Sequence, residues 1–337
     1  MIDRLTTYFA HRLAPRADVR VLSLTRMSEG FSQETFRVQL ASRDGDREQT
    51  ATYVLRRQPV AGLLEPYDTE PEFRVLAALA ATPVRAPRVY WYERDPTILE
   101  RPFYVMELVA GTVPLPVMVD GKPVFTDAER ARLGEDFVAN LAALHAVDWR
   151  GVGLDFLEVP ERGVAAATRE LARWEGYIAR ADGPPRPILT DAVLWLRRAL
   201  PAADAITLVH GDYRTGNFLV DGGRIAAVLD WEMVHLGDPM EDLGWACMAL
   251  WRGESPHMCH LLERERLYAR YEELSGRRVD PTRVHFYEVL ATVKMAAIML
   301  TGLHAFREGR TRDLRMALFD HQWAYIAAAI AQARGLL

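Results

Sequence analysis

Three polar side chains lie at the edges of a short apolar hairpin near the middle of the sequence. Two apolar runs, Phe218–Val220 and Ile225–Leu229, flank the turn sequence Asp-Gly-Gly-Arg, and glycine supplies the positive φ that tight hairpin turns need. Asp212 and Asn217 precede the first run, and Asp230 follows the second. Because a hairpin brings its outer ends together, the pattern predicts that Asn217 and Asp230 converge.

This set of side chains has the composition of a phosphoryl-transfer site. Mg²⁺ takes oxygen ligands from one or two carboxylates together with substrate phosphates, and Asn217 and Asp230 can supply such oxygens. Asp212 is then left to hold a substrate hydroxyl and accept its proton, as in kinase catalytic loops. An ordinary hairpin with polar ends is the alternative, but His210 before Asp212 and Trp231 after Asp230 favour the catalytic interpretation.

The stretch from Leu208 to Gly244 closely resembles the aminoglycoside phosphotransferase (choline kinase-like) family, whose members are similar in fold to protein kinases. The segments that carry the resemblance are His210-Gly211-Asp212-Tyr213-Arg214-Thr215-Gly216-Asn217, Leu229-Asp230-Trp231-Glu232 and Gly237-Asp238-Pro239-Met240-Glu241-Asp242-Leu243-Gly244. The subgroup that looks most similar contains kinase domains fused to acyl-CoA dehydrogenases. The resemblance implies an α+β, two-lobed kinase-like fold, with an antiparallel-sheet nucleotide-binding lobe over 1–108 and a mainly helical lobe over 109–337 that carries the catalytic loop and substrate pocket.

The resemblance assigns nucleotide binding to the N-terminal lobe. The predicted strand, loop and strand over residues 19–40 have the form of a kinase phosphate-covering loop, although this one contains a single glycine. Ser28, Gly30, Ser32 and Gln33 are the candidates to offer backbone N–H groups to phosphate oxygens. A plain hairpin turn is the alternative.

The family carries a phosphate-binding lysine on its third strand, and this sequence has Arg56 at the matching place. Arginine keeps the charge and binds phosphate bidentately, but its reach and shape differ from those of lysine. The neighbouring Arg57 is the alternative. In the family, the following helix supplies a glutamate that pairs with this cation; Glu72 matches that place, Glu70 is the competitor, and a glutamate is also favoured at a helix N-terminus by the helix dipole.

The segment from Met106 to Gly111 resembles the hinge of the family, where backbone groups bond the edge of the adenine ring. We therefore expect the backbone around Glu107 and Val109 to bind the base.

Four further polar residues are assigned structural roles. We expect His210 to brace the catalytic loop, and Asp238 and Asp242 to cap or brace the helix after the metal-binding aspartate. His145, near the end of a long predicted helix, is interpreted as structural rather than catalytic.

Length and composition fit a globular protein of two lobes. The chain has 337 residues, of which 50% are hydrophobic and 26% charged. A net charge of −5 without any run of Lys and Arg argues against a nucleic-acid partner. Two cysteines make no disulfide framework, so we expect reduced thiols and a cytoplasmic protein. We also expect neither a signal peptide nor a membrane-spanning helix.

Helical periodicity dominates the sequence after Asp127. The predicted helices cover residues 128–147, 163–181, 189–200, 241–251, 261–273, 284–307 and 312–333. The helices between the hinge and the catalytic loop are similar to the substrate-binding element of the family.

The resemblance implies a small-molecule kinase that uses ATP, or GTP, together with Mg²⁺. A nucleotide-binding protein without transferase activity is the alternative, which the complete set of Asp212, Asn217 and Asp230 argues against. A protein kinase is a third interpretation, disfavoured by the single-glycine loop and by the absence of Ala-Pro-Glu after Asp230.

The acceptor is expected to be a small hydroxylated metabolite or an aminoglycoside-like compound. Aminoglycoside enzymes need acidic pockets, whereas the predicted substrate-binding helices contain Arg169, Arg173, Arg180 and Arg186. This content argues against an aminoglycoside as the physiological substrate and fits a hydroxylated metabolite, including an anionic one, at least as well. The sequence leaves the oligomeric state open.

Overall fold

The computed structural model describes residues 1–27, 34–115 and 124–337. The predicted phosphate-loop residues Ser28, Gly30, Ser32 and Gln33 therefore lie outside the described residues. The chain divides into two compact units. The first comprises Met1–Ala77 and Pro87–Val109, and the second comprises Ala78–Ala86 and Ala110–Leu337.

The first unit contains a five-stranded antiparallel sheet with strand order β1-β2-β3-β5-β4. Its elements are α1 (Ile2–Arg12), β1 (Ala17–Met27), β2 (Glu34–Asp44), β3 (Arg47–Arg57), α2 (Glu70–Leu79, which runs into the second unit), β4 (Val89–Glu93), α3 (Pro96–Leu99) and β5 (Phe103–Glu107). Leu5 and Phe9 on α1 pack with Val38, Leu55 and Phe103 of the sheet in one buried cluster. Alternation of side chains along each strand places every second residue in this core.

The second unit is mainly helical. Its elements are α4 (Asp127–His145), α5 (Ala165–Arg180), α6 (Pro187–Arg198), β6 (Thr207–Val209), β7 (Phe218–Asp221), β8 (Arg224–Val228), β9 (His235–Gly237), α7 (Met240–Cys247), β10 (His257–Met258), β11 (Leu262–Glu263), α8 (Arg264–Ser275), α9 (Pro281–Arg307), α10 (Leu314–Ala317) and α11 (Phe319–Ala333). The pairs β6-β9, β7-β8 and β10-β11 form small antiparallel sheets.

Helix α9 is the core of the second unit and packs against α5, α6, α7, α10 and α11. Asp280 caps its N-terminus by accepting from the backbone N–H of Thr282, and Pro281 occupies the first turn, where the missing N–H costs nothing. The helix has 27 residues and an 18-residue window with a mean hydropathy of 1.6, so its length and composition alone would suit a membrane span. That window is 72% buried within the protein, as expected of a core helix.

The secondary structure agrees with the predicted α+β class: one unit contains the antiparallel sheet and the other is mainly helical. Two predicted helices are shorter or divided. The helix expected over 241–251 ends at Cys247 because Met248 adopts an extended ψ of 134°, and the helix expected over 312–333 is split into α10 and α11 at Leu318.

Candidate active site

The catalytic-loop candidate joins β6 to β7 and holds Asp212 by two side-chain hydrogen bonds. Arg214 Nε and Trp245 Nε1 each donate to Asp212 Oδ1 at 2.8 Å. The Asp212 side chain retains 19% exposure. Within the described parts of the chain, no hydrogen bond reaches Oδ2, so one carboxylate oxygen is fixed and the other remains an acceptor.

The hairpin brings Asn217 next to the residue that precedes Asp230, as the sequence predicted. Phe218 pairs with Val228 in the β7-β8 register, and the backbone N–H of Leu229 continues the pairing by donating to the Asn217 carbonyl at 2.7 Å. Asp230 then leaves the strand with φ 60° and ψ 63°, a left-handed conformation. Such a conformation is uncommon for a residue other than glycine and is found at functional turns.

The side chain of Asn217 is held in the loop by one hydrogen bond. Its Nδ2 donates to the backbone carbonyl of Asp212 at 3.0 Å, which leaves Oδ1 as the acceptor of the amide. An amide oxygen and the Asp230 carboxylate are together a donor set of the kind that Mg²⁺ prefers. These residues therefore fit the metal that the family resemblance implies.

The hairpin is anchored to α4 through a buried carboxylate. Asp136 accepts from Arg224 Nε at 2.7 Å and from the backbone N–H of Ile225 at 3.0 Å. Arg85 Nη1 lies 3.1 Å from the same carboxylate. Because Asp136 is only 3% exposed, these charge-assisted contacts hold the turn end of the hairpin on the helix.

Asp242, which was expected to cap or brace the helix after Asp230, holds the backbone of the catalytic-loop candidate. Its carboxylate accepts from the backbone N–H groups of His210 and Gly211, both at 2.9 Å. His145 Nε2 donates to it at 3.1 Å, while the Tyr271 hydroxyl donates to His145 Nδ1 at 2.7 Å. Burial alone would raise the pKa of Asp242, but the His145 contacts and the loop N–H groups lower it. The carboxylate thus stays charged in the core, and His145 occupies the structural position expected of it.

His210 connects the two ends of the site. Its Nδ1 accepts from the backbone N–H of Asp212 at 3.1 Å, and its Nε2–H donates to the carbonyl of Leu229 at 3.0 Å. Burial lowers the pKa of His210, which favours the neutral ring that this donor and acceptor pattern needs. The imidazole therefore links the loop that carries Asp212 to the end of the strand before Asp230.

Gly211 permits a close approach that no other residue could make. Its φ is +82°, and a Cβ there would lie 2.7 Å from the Met233 carbonyl oxygen. Both the left-handed backbone and the missing side chain are needed at this point.

In the first unit, the two adjacent arginines of β3 have different partners. Arg56 Nη1 lies 3.4 Å from Glu72 Oε1 of α2, and both side chains are buried. Arg57 instead donates to Glu34 on β2, with Nε at 2.7 Å. The Glu70 carboxylate pairs with Arg94. Of the alternatives left open by the sequence, the Arg56–Glu72 pair has the arrangement expected of a phosphate-binding cation and its glutamate.

The hinge candidates lie at the end of β5. The backbone N–H of Glu107 donates to the Arg88 carbonyl at 2.9 Å, and its side chain accepts from the Arg88 N–H at 2.7 Å. The Glu107 amide is therefore used within the sheet, and Val109 is the last residue of the first unit.

Asp238, which was expected to cap or brace the helix after Asp230, lies two residues before the first residue of α7. It accepts from the backbone N–H of Met240 at 3.0 Å, and Arg283 Nε lies 3.7 Å from its other oxygen. Complete removal from solvent raises its pKa to about 6.

Sequence reasoning did not find two residues that touch the candidate catalytic carboxylate, Arg214 and Trp245. Arg214 also lies over the ring of Trp251, with 4.2 Å between guanidinium carbon and ring centroid. Trp245 follows Asp242 by three positions on α7, so the two side chains share one helix face. Because Asp242 was expected only to cap or brace the helix, no sequence signal indicated a contact between Trp245 and the loop.

Comparisons with known proteins identify the family of the chain. The chain matches the phosphotransferase enzyme family over residues 23–287. It is 32% identical over 238 residues to "Probable acyl-CoA dehydrogenase IBR3" of Arabidopsis thaliana. The aligned region covers 67% of this chain and 28% of that protein. The chain thus spans less than a third of the length of this curated relative.

Solved structures show the same fold over nearly the whole chain. A candidate aminoglycoside phosphotransferase from Ralstonia eutropha superposes with a TM-score of 0.75 and 25% identity, covering 98% of this chain and 97% of that one. A thermostable mutant of aminoglycoside phosphotransferase APH(4)-Ia, solved with ADP and hygromycin B, has a TM-score of 0.54 and 17% identity, covering 96% and 98%. The matched residues extend well beyond half of the sequence and include the whole catalytic-loop candidate, so the chain belongs to the phosphotransferase enzyme family and carries its kinase-like fold.

Proposed function

We propose that this protein transfers the γ-phosphate of ATP, with Mg²⁺, to a hydroxyl group of a small molecule. The observation that carries the proposal is the asymmetric hydrogen bonding of the Asp212 carboxylate. Its Oδ1 accepts two hydrogen bonds, and its Oδ2 is available to an incoming hydroxyl. The family match supports phosphoryl transfer, and the relative solved with ADP supports an adenine nucleotide.

Each residue of the site has a role in this proposal. Asp212 orients the acceptor hydroxyl and takes its proton through Oδ2. Asn217 Oδ1 and the Asp230 carboxylate hold the metal ion, which when bound neutralises charge on the phosphate oxygens. Arg56, kept in place by Glu72, steadies the nucleotide phosphates. Most of the rate enhancement would come from positioning and from electrostatic stabilisation.

The acceptor is proposed to be a hydroxylated metabolite that is neutral or anionic, rather than a polycationic aminoglycoside. The arginine content of the predicted substrate-binding helices, on which the sequence prediction rested, does not support it. The arginines of the helical insert are engaged inside the second unit: Arg169 donates to the Glu158 carbonyl, Arg173 pairs with Glu170, and Arg186 lies over a tryptophan ring. Their number is thus no measure of the charge of a substrate pocket.

The support comes instead from the cation beside Asp212. Arg214 donates to the carboxylate, and its guanidinium also lies over the ring of Trp251. A cation at this position would repel a polyamine and attract a carboxylate or phosphate group on the acceptor.

The test is Asp212→Asn, assayed by ADP release with a panel of hydroxy acids, sugar alcohols and aminoglycosides. General-base catalysis contributes about 10²–10⁴-fold, so kcat should fall by that factor while MgATP affinity stays near wild type. Asp221→Asn, at the exposed turn of the same hairpin, is the matched control and should keep full activity. Turnover of Asp212→Asn close to wild type would refute the proposed mechanism. Efficient phosphorylation of several aminoglycosides would refute the proposed acceptor class.

A further inference from the structure

The indole of Trp245 is a buried donor to the candidate catalytic carboxylate. The side chain lies on α7, is 1% exposed, and directs Nε1–H to Asp212 Oδ1 at 2.8 Å. The carboxylate itself is on the loop between β6 and β7. A rigid ring with a single donor can therefore fix the rotation of Asp212 about its Cβ–Cγ bond and decide which oxygen faces the acceptor.

The ring of Trp245 is in turn held by a buried ammonium group. Lys294 Nζ, from α9, lies 5.5 Å from the Trp245 ring centroid and 5.3 Å from that of Trp174 on α5. Contacts of a desolvated cation with aromatic rings are attractive over this range. The lysine is 1% exposed. Side chains from α5, α7 and α9 therefore contact one another around a single buried ammonium group.

The ammonium is fixed by a buried ion network. Lys294 Nζ lies 2.5 Å from Glu241 Oε1 and 3.7 Å from Glu170 Oε2. His235 donates from Nδ1 to the Met233 carbonyl at 2.9 Å and from Nε2 to Glu241 at 3.2 Å. Both ring nitrogens thus face oxygen acceptors, which is the pattern of a protonated imidazole.

This network also explains a cluster that has the composition of a metal site. Ligand atoms of Glu170, His235 and Glu241 lie within 4.8 Å of one another. Lys294 and the imidazolium of His235 place two positive charges beside the two carboxylates, which balances them without a metal ion. The function of the cluster is then to hold Lys294 at a fixed point between the two indoles.

We propose that Trp245 is a positioning residue for phosphoryl transfer: its N–H, with its ring held against Lys294, turns Asp212 so that Oδ2 faces the acceptor hydroxyl. This inference rests on the proposed function, since it presumes that Asp212 is the catalytic carboxylate. It adds a residue from α7, outside the catalytic loop and the metal-binding hairpin.

The chain contains a matched control for this role. Trp174 lies on the same ammonium and donates its own N–H to a carboxylate, but that carboxylate is Glu170, at 3.1 Å and one helical turn away. The ring is fully buried, as is that of Trp245. Replacement of either indole by a phenyl ring therefore removes the same atoms from the same core, and only one replacement removes a hydrogen bond to Asp212.

The experiment compares Trp245→Phe with Trp174→Phe in the whole 337-residue chain. A hydrogen bond to a charged group corresponds to about ten- to a hundred-fold in rate, so kcat of Trp245→Phe should fall by that factor. KM for the acceptor and Kd for MgATP should stay within about threefold of wild type, because the interaction acts on the reacting group rather than on binding. Trp174→Phe should retain kcat within the same margin. Equal kcat values for the two variants would overturn the proposal.

A second variant separates the hydrogen bond from the packing of the ring. Site-specific incorporation at position 245 of the tryptophan analogue in which sulfur replaces the indole N–H preserves the shape and removes the donor. Loss of kcat with unchanged thermal unfolding supports the proposal even if Trp245→Phe folds poorly, and wild-type kcat overturns it.

Asp212→Asn, measured alongside, distinguishes the two levels of inference. If Asp212→Asn retains turnover, the proposed function fails and this inference fails with it. If Asp212→Asn loses turnover while the sulfur analogue at position 245 does not, only the role of Trp245 is refuted.

Discussion

The carboxylate of Asp242 accepts a 2.9 Å hydrogen bond from the backbone N–H of His210, which lies 32 positions earlier in the sequence. A second N–H, from Gly211, reaches the other oxygen of the same carboxylate. The start of the catalytic-loop candidate is therefore held by a single buried side chain on α7. The geometry of the loop depends on the charge state of that side chain.

Asp242→Asn should consequently affect both folding and turnover. The amide cannot accept from both loop N–H groups and from His145, and hydrogen bonds to a buried charge contribute about 1.5–3 kcal/mol. We expect at least about 2 kcal/mol loss in the free energy of unfolding and a lower kcat in the fraction that stays folded. Denaturant unfolding and ADP release measure the two effects. Asp95→Asn, at an exposed helix N-cap, is the control, and an equal effect of both changes would argue against the brace.

Arg56→Lys should weaken ATP binding by about tenfold, since lysine loses the bidentate contact with phosphate. The substitution keeps a positive charge beside the buried Glu72 and so avoids an unpaired carboxylate. Glu72→Gln should act in the same direction. Calorimetric titration with MgATP gives the affinities. Arg57→Lys, in the same strand but paired with Glu34, should bind as wild type does; the reverse ranking of the two arginines would transfer the role to Arg57.

Asp230→Ala should abolish the dependence of nucleotide affinity on Mg²⁺. Asp230 and Asn217 are the oxygen donors at the two outer ends of the hairpin, and loss of a carboxylate ligand removes most of the charge that holds a divalent ion. Titrations with ATP in Mg²⁺ and in EDTA should converge for this variant and differ for wild type. Asp221→Ala, in the hairpin turn, should behave as wild type. Metal-dependent affinity that survives in Asp230→Ala would exclude this site.

The raised pKa of Asp238 should make the unfolding free energy depend on pH. Its pKa is raised from 3.8 to about 6 in the folded protein, so between these values the native state binds more protons than the unfolded state. The Asp238 contribution to the unfolding free energy therefore decreases as pH rises from 4 through 6, by about 3 kcal/mol in total, and is constant above that range.

Asp238→Asn should remove this decrease. Between pH 4 and pH 8, the unfolding free energy of Asp238→Asn should therefore increase by a few kcal/mol relative to that of wild type. Urea unfolding across that range measures it. A difference that is constant with pH would show that the Asp238 carboxyl titrates at its ordinary value.

The parts of the site that the sequence predicted are those set by local spacing. The Asp-Gly-Gly turn and two apolar runs define the β7-β8 hairpin, and hairpin register alone brings Asn217 towards Asp230. Glu72 likewise lies in the first turn of α2, the helix that follows the third strand. Such contacts depend on the geometry of one or two neighbouring elements.

The contacts that the sequence did not reveal depend on packing between distant helices. Trp245 and Asp212 are 33 positions apart, and Lys294 and Glu241 are 53 apart. No periodicity indicates that a buried lysine on α9 faces a glutamate on α7. The strands β6 and β9 have three residues each, too few for an alternating pattern to be distinguished from a loop.

The long apolar helix α9 has a consequence for how the chain is made. Its partners α5, α6 and α7 precede it in sequence, but α11, which covers part of its surface, follows it. The chain leaves the ribosome in sequence order, so α9 emerges before α11. For that interval an apolar surface of this helix is open to chaperones or to other nascent chains, and its burial is completed only when α11 has been released.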